Sequence, residues 1–165
     1  MESPSVNFIV VLLNSLIPLF IGFVWYNPKV FGSAWMKAAD MTEDKMKGAK
    51  MWLIFGLTLV MGFFISGGLL SVVIHQYGVF QALQHHITDP EAIEFNKSFM
   101  TKFGTEFRTF GHGALHGGIA CMVTIVPALV VNALFERKSF KYIAINGGFW
   151  LVCLILMGGV ICQFA

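Results

Sequence analysis

Five histidines, at positions 75, 85, 86, 112 and 116, are the residues of this chain best suited to chemistry. His112 and His116 are spaced i, i+4, which on a helix puts both imidazoles on one face. His75 precedes a polar connection that leads back toward them, so two antiparallel helices would bring all three together. Three convergent imidazoles suit Zn²⁺, Cu²⁺ or a haem iron. No H-E-x-x-H spacing surrounds them, and Glu106 is the only acid with a natural reach toward the group. Two other roles compete: a polar bond between helices, the commonest fate of such a residue, and plain exposure at a membrane surface.

The elements that must position these side chains are apolar. Ser3 to Pro28, Met51 to Thr88, Thr109 to Phe135 and Tyr142 to Ala165 contain no Asp, Glu, Lys or Arg. Each exceeds the roughly 20 residues that a helix needs to cross a hydrocarbon core about 30 Å thick. The chain therefore reads as an all-α, polytopic membrane protein with four transmembrane helices, forming one domain over residues 1–165. Of its 165 residues 56% are hydrophobic and 12% charged, and the mean hydropathy is +0.73. That leaves too little polar surface for a water-soluble globule. A net charge of +2 is too small and scattered for a nucleic-acid surface. The first span lacks a basic leader and a following A-x-A site, and is read as retained. Cys121, Cys153 and Cys162 fall inside spans with no C-x-x-C pair, which describes buried small hydrophobes rather than disulfides or thiolate ligands.

Orientation follows from the basic residues. Lys29, Lys37, Lys45, Lys47 and Lys50 lie in the first connection and Arg137, Lys138 and Lys141 in the third, against Lys97, Lys102 and Arg108 in the second. The positive-inside rule puts the first and third connections in the cytoplasm and both termini outside, in a cell's inner or plasma membrane. All five histidines then share the outer side.

Along the chain, Asn14 and Pro18 predict a kink in a first helix spanning Val6 to Tyr26, and Pro127 predicts another in the third. Val30, Phe31, Trp35 and Met36 have the spacing of a short interfacial helix, and Thr42 is an N-cap for a further turn. In the second span Gly62, Ser66 and Gly67, Ser71 form small-x-x-x-small pairs. The apolar stripe beyond His75 predicts a helix projecting toward His86. Ile93, Phe95, Phe99, Met100, Phe103, Phe107 and Phe110 predict a helical outer segment that starts near Pro90 and feeds the third span, so that spans two and three share an outer hairpin. Gly111, Gly113, Gly117 and Gly118 predict a close helix contact.

Trp25-Tyr26-Asn27-Pro28, Phe31-Gly32 and Trp35 form the pattern W-Y-x-P-x-x-F-G-x-x-W. His116-Gly117, Asn132-Ala133-Leu134-Phe135-Glu136-Arg137, Tyr142 and Asn146-Gly147 follow it. Over nearly its whole length the chain resembles the domain of unknown function 1761 family. The resemblance implies a small four-helix membrane protein with no activity established. The long, Phe-rich connection between Gln76 and Arg108 departs from that pattern. Physically, Pro28 ends the first span, and Phe31 and Trp35 are placed to anchor the chain in the interface. A cytoplasmic pocket built from Trp25, Tyr26 and Asn27 is the other use of the motif.

No charged residue lies well inside a span, no Ser-His-Asp set is visible and no glycine loop carries the Lys and Ser/Thr of a phosphate site, so catalytic residues are not expected. The main expectation is a non-enzymatic, self-associating bundle without a cofactor. It would serve as a scaffold or as a passive solute or ion path lined by Asn14, Asn132 and Asn146, with lipid, further copies of itself and an unidentified membrane protein as partners. The alternative is a metal- or haem-binding membrane redox protein using His75, His112 and His116.

Overall fold

The computed structural model describes residues 3–165 and contains no strand among them. This is what hydrocarbon demands of a spanning chain, since a helix satisfies every backbone polar group within itself. Four helical passes are long and apolar enough to cross a membrane: Phe8–Trp25, Met51–Val73, Phe110–Phe135 and Phe140–Phe164.

The first pass is two helices, α1 (Phe8–Asn14) and α2 (Ile17–Trp25). Pro18 has no N–H for the Asn14 carbonyl, and the Leu19 N–H bonds the Leu16 carbonyl at 3.0 Å, so the helix breaks where the sequence predicts. Asn14 is 2% exposed. Its amide donates to Ser66 Oγ at 3.0 Å and to the Met157 carbonyl at 3.4 Å, tying the first, second and fourth passes together. Bonds of this kind within a membrane contribute about 0.6 kcal/mol each.

A wide π-type turn (Pro28–Gly32) leads into α3 (Ser33–Ala39), and α4 (Glu43–Lys47) follows with Thr42 as its N-cap. The second pass is α5 (Met51–Val73). The third is α8 (Phe110–Ala120), a π-type turn over Cys121–Ile125, and α9 (Val126–Phe135). That wide turn directly precedes Pro127 and accommodates the hydrogen bond the proline cannot make. The fourth pass, α10 (Phe140–Phe164), starts at an N-cap from Ser139, whose Oγ accepts the Tyr142 N–H at 3.3 Å.

The fourth pass is the hub. More than half of it is buried, against less than a quarter of each of the other three. Cys153, Met157, Ile161 and Cys162 on α10 are all fully buried. Glycine makes its tightest contact possible: a Cβ on Gly117 would overlap the Leu154 carbonyl, and one on Gly113 would overlap that of Gly158. The close contact predicted from the glycines of the third span is therefore internal to the chain, between α8 and α10. Gly62 likewise packs on the first pass, where a Cβ would stand 2.6 Å from the Ser15 carbonyl. All three cysteines are buried and free.

The connection between the second and third passes differs from the expectation at two points. The helix of the second pass does not run on toward His86. It stops at Val73, Ile74 is extended (φ −109°, ψ 98°), and a separate α6 (Gln76–Ala82) follows. The segment after α7 (Pro90–Phe103) does not feed the third pass as one helix either. The chain leaves helical geometry between Phe103 and Thr109, with Phe107 at φ 60°, and α8 begins afresh with Thr109 as its N-cap. The cause is tertiary. The buried Gln76 amide donates to the Phe103 carbonyl at 2.7 Å, which also accepts the Glu106 N–H, and to the Glu106 carbonyl at 3.1 Å, pinning the turn that follows α7.

Candidate metal centre

His75 sits at the corner between α5 and α6, held in place by Val73 and Ile74, both buried beneath it, and by the Gln76 amide just beyond. His112 lies in the first turn of α8, where its N–H reaches Thr109 Oγ1 at 3.3 Å, and His116 follows one turn later. These elements bring together the three imidazoles that sequence spacing selects. One nitrogen from each of His75, His112 and His116 lies within 4.8 Å of the others. Ring centroids stand 4.8 Å apart for His75 and His112, 5.1 Å for His75 and His116, and 4.4 Å for His112 and His116. Nε2 of His75 and Nε2 of His112 are 2.8 Å apart, one donating and the other accepting a single proton. His85 and His86 stay outside the group, on a 3-10 turn, where His86 Nδ1 lies 3.9 Å from the Asp89 carboxylate. Glu106 is absent from the group as well.

Phe107 completes the surroundings. Its ring stacks on His112 with centroids 5.1 Å apart and meets His75 edge-on at 5.8 Å. The backbone behind it is fastened to the end of α10. Arg108 Nε donates to the Cys162 carbonyl at 2.8 Å and its Nη2 to the Ala165 carbonyl. Gln163 Oε1 accepts the Phe110 N–H at 3.1 Å. The Cys162 thiol lies 3.2 Å from the Val73 carbonyl and 3.3 Å from that of Phe107. Tyr77, on the neighbouring α6, has its phenol pushed above its ordinary range by burial, with the Arg108 guanidinium opposing the shift. Phe107, Gln76 and Arg108 were not singled out by type or spacing. The one local signal was Thr109, a good N-cap residue ahead of the apolar run, which marks a fresh helix start and hence irregular backbone before it.

The three asparagines stand in different settings. Asn14 is in the helix junction already described, Asn132 is exposed near the end of α9, and Asn146 accepts a 3.0 Å bond from the Tyr26 hydroxyl.

The aromatic signature is a lock between the first and fourth passes. Trp25 Nε1 donates to the Ile145 carbonyl at 3.1 Å. The rings of the short helix fold back on the first pass, Phe31 onto Trp25 with centroids 4.5 Å apart and Trp35 onto Tyr26 at 5.4 Å. Asn27 caps the turn, its Oδ1 accepting the Lys29 N–H at 2.9 Å. A Cβ on Gly32 would overlap the Tyr26 carbonyl, so glycine is required there. Pro28 opens the turn, where a missing N–H does no harm. Over residues 9–162 the chain matches the family described as protein of unknown function, DUF1761.

The chain belongs to that family. No curated protein and no solved structure matches this DUF1761 member. Family membership and the four apolar passes together describe a multi-pass membrane protein of unknown function. Its most chemically capable constellation is the histidine triad.

Proposed function

We propose that this protein is a membrane metal protein that binds one transition-metal ion through His75, His112 and His116, on the outer side that the basic residues define. The supporting observation is the convergence of three imidazole nitrogens, one from the corner after the second pass and two from the start of the third, within 4.8 Å. A tetrahedral ion with metal–nitrogen bonds of about 2.0–2.1 Å holds its donors roughly 3.3 Å apart, so movements of about an ångström would close the site. Rings only 4.4–5.1 Å apart leave no slot for a porphyrin between them, which favours a bare ion over haem. Imidazole donors suit copper and zinc, and the order of divalent affinities puts Cu²⁺ ahead of Zn²⁺. With copper the centre carries one electron. With zinc it is redox-silent.

Purified protein in lipid nanodiscs, loaded with Cu²⁺ or Zn²⁺ and freed of excess ion, should retain one equivalent by elemental analysis. His112→Ala and His116→Ala should each weaken binding beyond the about 10–100-fold that loss of an outer-shell partner costs. Retention unchanged in the double variant defeats the proposal.

Self-association is a second reading, carried by the outward side of α5. Gly56, Gly67 and Gly68 have nothing within 4 Å of a built Cβ. Small residues without a partner in their own chain are what a close helix contact with another copy uses. Here Gly67→Leu should shift the mass in detergent from oligomer to monomer. A wild-type protein that is monomeric at every concentration removes the reading.

A further inference from the structure

Resting on that metal reading, we infer that the fourth coordination position is left to a small exogenous anion, and that Phe107 sets the size of what enters.

The donor count points there first. Among the described residues, His75, His112 and His116 are the only His, Cys, Asp or Glu side chains that gather at this place. Sites built to hold zinc for structure are closed by four protein donors, whereas three-donor sites keep a position for water or substrate. The fold does not need a fourth donor for strength. Gln76, Arg108, Cys162 and Gln163 already fasten the connection between α7 and α8 to α6 and α10. Charge selects the ligand class. Three neutral imidazoles leave a divalent ion's double charge uncompensated, and no carboxylate joins the group.

Phe107 supplies the size limit. Its φ of 60° puts a bulky side chain in the left-handed region, a strained choice that persists only where surrounding contacts hold it. Among the described residues, the other two non-glycine residues with positive φ, Asp40 and Arg137, follow the ends of α3 and α9, where a left-handed residue ordinarily stops a helix. Phe107 ends no helix. Although 60% exposed, its ring rests on two of the three imidazoles. Burial in the core therefore does not account for the strain; the bonds that Thr109 and Cys162 make to its carbonyl hold the backbone, and the ring is set against the triad. A flat ring over His112 and beside His75 leaves room for an ion of a few atoms and obstructs a broad one.

The test uses the full chain in lipid nanodiscs loaded with one equivalent of Co²⁺, whose visible absorption reports coordination. Azide titrated into the wild type should change the spectrum saturably, and free imidazole should bind poorly. Phe107→Ala should bind imidazole about tenfold more tightly, with azide affinity changed less than threefold. Phe107→Gly, which adopts this φ without strain, should behave alike and guards against misfolding of the alanine variant. Bound Co²⁺ whose spectrum ignores azide overturns the open position, and equal imidazole affinity with and without the ring overturns the role of Phe107. Failure to retain Co²⁺ at all defeats the metal reading instead, so the two failures are distinguishable.

Discussion

Gly117→Ala should destabilise the bundle by about 1–3 kcal/mol, and Gly117→Leu by at least as much, although each residue is a better helix former than glycine. The new methyl would collide with the Leu154 carbonyl, a backbone atom that cannot rotate away, and Gly113 and Gly158 close the same crossing one turn on. Relief requires α8 and α10 to separate, which forfeits packing along their whole shared length. Gly56→Ala is the control, because nothing lies within 4 Å of a Cβ there. It should be neutral or slightly stabilising. Unfolding in mixed micelles by titrated SDS, followed through tryptophan fluorescence, measures both, and equal midpoints for the two variants would refute the assignment of this crossing as the tightest in the fold.

Arg108→Ala should cost about 1.5–3 kcal/mol, the range for hydrogen bonds to a charged group. Its guanidinium reaches the Cys162 and Ala165 carbonyls at the C-terminal end of α10. A cation is also favoured at the negative end of the helix dipole. Arg108→Lys should recover only part of the loss, since an ammonium cannot present two parallel donors. The effect is local enough to be read by hydrogen exchange: amides of residues 104–112 should exchange faster in the alanine variant, while those around Asn14 keep their protection. Uniform exchange across the chain in the variant would show that the arginine holds no particular segment.

The four passes were legible because a charge-free run longer than a bilayer is thick has little use outside one. Pro18 and Pro127 located both breaks in the helices, and the i, i+4 spacing of His112 and His116 put two imidazoles on one face. The approach of His75 followed from antiparallel order alone. The stop at Ile74 was not legible, since Val72, Val73 and Ile74 continue an apolar run and the break depends on Gln76 finding carbonyls 27 and 30 residues away. Phe107 was hidden for a similar reason: a phenylalanine in a series of phenylalanines reads as one more ring on a helical face. Nor did the sequence single out α10, because all four passes are comparably apolar and centrality is decided by which of them finds the others. The signature aromatics were placed at the right end of the first pass, but the Phe31 and Trp35 rings turn inward onto Trp25 and Tyr26.

The position of α10 has a consequence for biosynthesis. The helix around which the others assemble is the last of the four passes to leave the ribosome, so three spans enter the bilayer before their common partner exists. Until then the bare backbone at Gly113 and Gly117 faces lipid or whatever neighbour the translocon offers. A nascent chain stalled before Phe140 should therefore be captured by insertion chaperones and degraded, and the finished polypeptide should escape both within the time it takes one more hairpin to thread.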